Sequence, residues 1–346
     1  VCIGEAEETI VDFFQKYKTT SEIESWWIRE KNGTIKKNKL KPLVQNLDLL
    51  SFPDRRLFYD KYELARNSKI KSFITARGCP YNCTYCFNHA FVNLYGTKTA
   101  RRVRTRSVDN VIEEILYVKN NFPLEFVHFA TDTFIVDKNW IEEFAVKYKE
   151  KIGLPFFCGV RVELVTEELA DLLHYAGCNS VSMGIECGNY ELRKNLLKRN
   201  QTNKMIIKAA QILNRRKINI LSQNMIGLPG ETFDNMLETL DINIYSKVSY
   251  AEVSFYQPYP RTALGKVAEA SGLFSGNVDD ISESFNKDIG IRIINPKEIR
   301  NLHKLFAIVV QFPFLRHYIK LLVKIPENIL YKIAFKILKG YKGKFK

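Results

Sequence analysis

The 346-residue chain contains no run of about 18 apolar residues, so no stretch of it reads as a membrane-crossing helix. No charged leader with an apolar core opens it, which removes a secretory signal from the reading. Repeats of about 20 to 50 residues and low-complexity tracts are absent, and with them solenoids, propellers and disordered linkers. Cysteine is sparse, at 7 positions, too few and too uneven for a disulfide scaffold. These gaps together lead to the expectation of a cytoplasmic protein in a reducing compartment. The chain opens on Val1 in the phrase V-C-I-G-E-A-E-E-T-I. That phrase suits the last strand and turn of a preceding unit, so an N-terminal truncation is expected.

What is present supports a full core: 46% of residues are hydrophobic and 12% aromatic, enough for one large domain with an appendage or two. The formal charge of +14 invites a nucleic-acid reading, but from Asn301 onward ten Lys or Arg face Glu327 alone. About nine of the fourteen charges therefore belong to the tail, and nucleic acid is not an expected partner.

Hydrophobic periodicity changes along the chain. A short helical stretch at Glu8 to Tyr17 precedes W-W-I-R-E-K-N-G-T-I-K-K-N, where Asn32-Gly33 signals a hairpin. L-D-L-L-S-F-P-D-R-R-L-F, Leu47 to Phe58, reads as a proline-interrupted connector. From Ser72 strands alternate with helices. The strands are expected at Ser72 to Ala76, Glu125 to Ala130, Phe156 to Val160, Ser180 to Ile185, Ile218 to Ile226 and Tyr250 to Gln257. Helices are expected at Ser107 to Asn120, Asp137 to Lys151, Thr166 to Ala176, Tyr190 to Arg216 with a break near Asn200, and Thr232 to Ser246. Six short apolar strands alternating with amphipathic helices imply an α/β fold of parallel units, doubly wound or barrel-like. In a parallel barrel the chemistry gathers where strands end.

The first strand runs directly into I-T-A-R-G-C-P-Y-N-C-T-Y-C-F-N, a C-x3-C-x2-C triplet of Cys79, Cys83 and Cys86 with no fourth cysteine nearby. Three thiolates can hold three irons of a cubane and leave the fourth open to an outside ligand. A structural zinc normally takes four closed ligands. His89 is the neighbour that could complete such a site, so a zinc-stabilised, basic nucleic-acid-binding module stands as the reading from another class.

The triplet, with aromatic Tyr85 before its last cysteine and β/α units after it, resembles the radical S-adenosylmethionine (SAM) superfamily from about Ser72 to Gln257. The resemblance implies a partial (β/α)6 TIM-like barrel with a C-terminal helical extension, a 4Fe-4S cluster on the three cysteines, and SAM chelating the open iron. It further implies reductive cleavage of SAM to methionine and a 5'-deoxyadenosyl radical, with an electron donor such as flavodoxin or ferredoxin. The protein then positions the cofactors and excludes quenchers.

Several strand ends fit the same pocket. In F-A-T-D-T-F, Thr131, Asp132 and Thr133 lie where relatives bind the cofactor's amino group, although Asp and Thr also cap helices. C-G-V-R-V-E places Arg161 at a strand mouth, either to meet the cofactor carboxylate or to pair with Glu163. In S-M-G-I-E-C-G an acidic Glu186 beside a core strand calls for a specific partner, and relatives use such a residue on the ribose or amino group. N-M-I-G-L-P-G-E-T resembles the segment lining the adenine, with Gly227 and Gly230 allowing close backbone approach. The last strand, S-F-Y-Q-P-Y-P-R-T-A-L, carries Arg261 where relatives frequently have glycine, which leaves the loop there and any substrate role of Tyr256 or Arg261 open.

Three phrases, G-E-A-E-E-T, L-D-L-L-S-F-P-D-R and T-D-T-F, look like the cobalamin-binding branch of the superfamily. On that resemblance residues 1–20 are the remnant of an N-terminal cobalamin-binding Rossmann-like domain, 21–68 a connector with a hairpin, 69–270 the core barrel and 271–346 a basic helical region. No D-x-H-x-x-G signature is present, so cobalamin is expected of the parent protein rather than of these residues. The implied reaction is methyl transfer to a small-molecule or lipid-like substrate, with ring formation or rearrangement as the alternative. Pro313 and Pro326 divide the tail into short helices, whose mix of Leu, Ile, Phe and Lys suits either a cap over the barrel or contact with the inner face of a membrane.

Overall fold

The computed structural model describes residues 1–96, 103–132, 134, 137–326, 331, 333, 335–337 and 340, without the side chain of His89. Six strands, β1 (Ile70–Phe73), β2 (Phe126–Phe129), β3 (Phe156–Val160), β4 (Cys178–Glu186), β5 (Asn219–Ile226) and β6 (Tyr250–Phe255), form one parallel sheet in the order β6-β5-β4-β3-β2-β1. Sequence neighbours are sheet neighbours throughout, and the ends β1 and β6 do not pair. The result is an open, partial barrel rather than a closed one.

Helices α1 (Glu7–Lys16), α2 (Phe87–Tyr95), α3 (Val108–Asn121), α4 (Lys138–Lys151), α5 (Glu167–Ala176), α6 (Asn203–Arg215), α7 (Phe233–Tyr245), α8 (Ala263–Ala270) and α9 (Pro296–Gln311) complete the architecture. The crossover helices follow their sequence periodicity. In α3 Val108, Val111, Ile112, Ile115 and Val118 fall on one stripe and are all buried in the main core, as a helix packing on a sheet requires. Their starts are set by side-chain caps. Ser107, Asp137, Thr166, Thr202 and Thr232 each accept the backbone N–H three residues on, an arrangement worth about 1 kcal/mol apiece.

The first strand differs from expectation. β1 stops at Phe73, because the Thr75 N–H donates to Thr131 Oγ1 at 3.0 Å and Ala76–Arg77 pairs antiparallel with Arg104–Thr105. The helix over Tyr190 to Arg216 is broken around Asn200 as expected: a π turn, Leu192–Leu196, precedes the break and α6 follows it. Arg193 causes the break: it points inward, fully buried, and donates to the carbonyls of Cys187, Gly188 and Gln201 and to Asn203 Oδ1. After β6, Arg261 itself adopts φ 67° and Thr262 caps α8, so the non-glycine residue takes the left-handed corner with its side chain exposed. Beyond it α9 lays Ile299, Leu302, Phe306 and Val309 on the core, covering the edge strand β6.

Candidate functional site

Gly78, at φ 94°, turns the chain out of the short hairpin and into the cysteine loop, a conformation glycine enters at no steric cost. Cys86 is the N-cap residue of α2, so the positive end of that helix faces its sulfur. The loop is anchored from both sides: Thr84 Oγ1 donates to Leu196 O at 2.6 Å, and the Leu264 N–H donates to Thr84 O at 2.9 Å. Cys79, Cys83 and Cys86 are free thiols on the wall of one cavity of about 380 Å3 at the C-terminal ends of β2, β3 and β4. Cys158, Cys178 and Cys187 are buried apart from it. Burial pushes the Cys86 thiol up to about 11, a preference that a bound cation reverses.

A chain of polar side chains backs this cavity. Arg161 donates to Glu163 at 2.8 Å, reaches Cys83 Sγ at 3.7 Å and lies flat on the Tyr81 ring, 3.4 Å from its centroid. Gln201 donates to the other oxygen of Glu163 at 2.6 Å. Burial raises the Glu163 pKa, but the Arg161 guanidinium outweighs it and holds the carboxyl below its ordinary value. Arg199 donates to Tyr85 Oη at 3.0 Å, Gly184 O at 2.7 Å and Glu186 Oε1 at 3.4 Å. Glu186 sits at φ 67° just after a register shift in β4, a strained position for a non-glycine residue that persists only where surroundings over-determine it. The hydrogen bonds of Arg199 supply that determination.

Tyr85, Thr131, Asp132, Arg161 and Glu186 thus gather on the cavity with the three cysteines. Thr131 is committed in part to Thr75, and Thr133 lies outside the described residues. Gly227 and Gly230, at φ 79° and 74°, are not on this wall. They shape the turn after β5, whose N–H groups at Gly227 and Leu228 donate to the Glu231 carboxylate at 2.7 and 3.0 Å. Burial pushes that carboxyl up to about 8. Arg199 and Gln201 were not singled out in the sequence; the broken helix at K-R-N-Q-T was the available signal, since a chain that leaves a helix beside a strand end can send side chains into it. A second cavity of about 390 Å3, shared through Tyr85, Glu186 and Gln223, extends to Glu252 and Tyr256. Gln223 Nε2 donates to Glu252 Oε2 at 3.1 Å, and the buried Tyr256 hydroxyl has no hydrogen-bond partner among the described residues.

The N-terminal segment reaches the same loop. Glu5 accepts from Arg77 at 3.2 Å, from Arg104 at 2.8 and 2.9 Å and from the Val44 N–H at 3.1 Å, while its own N–H donates to Tyr95 Oη. Arg77 precedes the cysteine loop and Tyr95 ends the helix that follows it, so one carboxylate ties both flanks. Glu5→Ala leaves the Arg104 guanidinium, 5% exposed, without its counter-charge. A loss of about 3 kcal/mol in urea unfolding is expected, with faster release of iron from reconstituted protein; an unchanged midpoint and iron content would show that the clamp does neither.

The donor set fits an iron-sulfur cubane. Three thiols spread along one wall suit three separate irons, and the Arg161 Nε is buried without a partner among the described residues. Among the described residues no three His, Cys, Asp or Glu side chains are grouped as ligands of one metal ion.

Residues 73–242 match the model of the Radical SAM superfamily. The chain is 27% identical over 275 residues, 78% of its length and 58% of the relative's, to the uncharacterized methyltransferase PH0819 of Pyrococcus horikoshii. It is 27% identical over 204 residues, 56% of this chain and 36% of the relative, to cytidylyl-2-hydroxyethylphosphonate methyltransferase of Streptomyces wedmorensis. The chain thus spans little more than half of the first relative and about a third of the second. Among solved structures, the cobalamin-dependent SAM radical enzyme OxsB, with aqua-cobalamin and SAM bound, superposes with a TM-score of 0.66 at 19% identity, over 99% of this chain and 54% of that one.

Proposed function

Residues 73–242 are a radical SAM domain, and on that premise we propose that the protein cleaves SAM reductively and uses the resulting radical for methyl transfer. The observation that carries the proposal is the wall of three free thiols, Cys79, Cys83 and Cys86, with an Arg161 Nε that has no partner among the described residues. Bound there, a 4Fe-4S cluster supplies the electron that splits SAM into methionine and a 5'-deoxyadenosyl radical.

The chain's own residues bind and orient. The cysteines hold three corners, and Arg161, hydrogen-bonded to Glu163 and stacked on Tyr81, offers positive charge to the sulfurs and to a carboxylate. Asp132 and Glu186 present carboxylates to an amino or ribose group, with Thr131 beside them, and Tyr85 closes the space between the two cavities. The turn at Gly227 and Gly230, locked by Glu231, stands after β5 off the cysteine cavity and is proposed to flank the adenine. The adjoining chamber with Gln223 and Glu252 gives a polar small-molecule substrate a place next to the cleavage site.

Cobalamin as methyl carrier is proposed for the whole protein, supported by the fold shared with OxsB and by the two methyltransferase relatives; none of the residues here is assigned to it. Ring formation without methyl transfer is the second reading. A reductant of flavodoxin or ferredoxin type and a reducing, cytoplasmic compartment are proposed with either reading, supported by the electron that the chemistry requires.

The test is anaerobic reconstitution of the full protein, followed by dithionite and SAM. Accumulation of 5'-deoxyadenosine is expected; none, with the cluster intact, would reject the proposal. Methylated against cyclised product, once a substrate is found, separates the two readings.

A further inference from the structure

Surface helices ordinarily bury one face and wet the other. The segment Pro313–Tyr318 and its continuation Ile319–Leu322 do not. On the inner side Ile319 and Val323 are fully buried in the main core, with Leu315 and Leu322 packed beside them. On the outer side, at intervals of four, three and four residues, stand Phe314, Tyr318, Leu321 and Ile325, exposed by 63%, 57%, 67% and 44%. Phe312, 52% exposed, extends this face with its ring centroid 6.4 Å from that of Phe314. Apolar side chains on both sides give the segment one more apolar face than the described residues cover.

The outward face is held in place. Arg316 makes a two-point pair with Asp241 of α7 at 2.5 and 2.8 Å, and Asn301 of α9 donates to the carbonyls of Val323 and Ile325 at 2.8 and 2.9 Å. The exposed rings are thus presented by a docked segment, and a concentration of large apolar groups on such a surface marks an interaction site.

Charge selects the occupant. Lys320, paired with Asp234 at 2.7 Å, and Lys324 lie between the exposed apolar positions, and from Asn301 to the end of the sequence ten Lys or Arg stand against one Glu. Among the described residues no helix is long and apolar enough to cross a membrane. Apolar side chains interleaved with single-signed basic ones, on a segment too short to span, match an anionic lipid surface. We propose that this face seats the protein on anionic membranes, with Phe312, Phe314, Tyr318, Leu321 and Ile325 entering the headgroup boundary and the lysines meeting lipid phosphates. The proposal does not depend on the radical chemistry and goes beyond it.

Sedimentation with vesicles tests it. The full protein is expected to bind vesicles of equal parts phosphatidylglycerol and phosphatidylcholine, to be released by high salt, and to leave pure phosphatidylcholine nearly unbound. Phe314→Ser combined with Leu321→Ser is expected to weaken binding about tenfold, with iron content and unfolding midpoint unchanged because both residues are exposed. Equal binding to neutral and anionic vesicles, or full binding by the double variant, would overturn the proposal. So would a wild-type dimer that the double variant converts to monomer, which would make this face a contact between copies.

Discussion

Replacement of Cys79, Cys83 or Cys86 by alanine is expected to abolish the bound cluster and with it 5'-deoxyadenosine formation. All three thiols line one cavity and none of the remaining cysteines lies on it, so no neighbouring thiol can substitute. Loss of a residue that merely supports a metal ligand costs roughly 10–100-fold in affinity or activity; loss of a ligand itself should cost more, and iron should fall from four per chain toward background. Cys158→Ala is the control, because Cys158 is fully buried in β3 among core residues. It removes one sulfur atom from the core and should leave iron content unchanged. Retained cluster in any of the three cavity variants, or its loss in the control, would be incompatible with the assigned ligands.

Arg199→Met is expected to have the largest effect on stability. Arg199 and Glu186 side chains are 5% and 12% exposed, and one guanidinium serves Tyr85, Gly184, Glu186 and Gln201 together. Burial opposes the charge of Arg199, yet Tyr85 and Glu186 hold its pKa above the ordinary value. Methionine fills much of the volume but leaves the Glu186 carboxylate buried and uncompensated, a change that costs about 3–5 kcal/mol. Adding Glu186→Gln should recover part of that loss, since the two residues interact directly. Urea denaturation of the four proteins checks both expectations. A single-variant loss below about 1 kcal/mol, or strictly additive losses, would show that the pair is not coupled.

Much of the scaffold was legible because its signals are local. Strand β3 was expected at its observed residues, since F-F-C-G-V is a short apolar run bounded by a turn. The helix starts at Ser107, Asp137, Thr166 and Thr232 proved to be caps, one residue before the helices they begin. The gathering of the cysteine triplet was legible for the same reason: its three thiols are close in sequence and share one cavity. What could not be read depends on contacts between distant segments. The hairpin that ends β1 early pairs Ala76–Arg77 with residues almost 30 positions on, and two-residue strands have no period to detect. Arg199 and Gln201 lie in a stretch that looks like a solvated helix break, yet they bond to groups on β4 and the turn after β3. Glu5 is polar and near the start of the sequence, where nothing indicates that it meets Arg77 and Arg104. Gly227 and Gly230 stand after β5 as the sequence indicates, and their positive φ folds a turn around Glu231 that no local pattern announces.

The account rests on one corner of the cluster remaining free for SAM. Electron-nuclear double resonance on the reduced, reconstituted protein, with SAM labelled at its amino nitrogen and carboxylate, reads that corner directly. Coupling of both labelled groups to the cluster is the expected result. A cluster spectrum unchanged by SAM, with no coupling to either label, would contradict it.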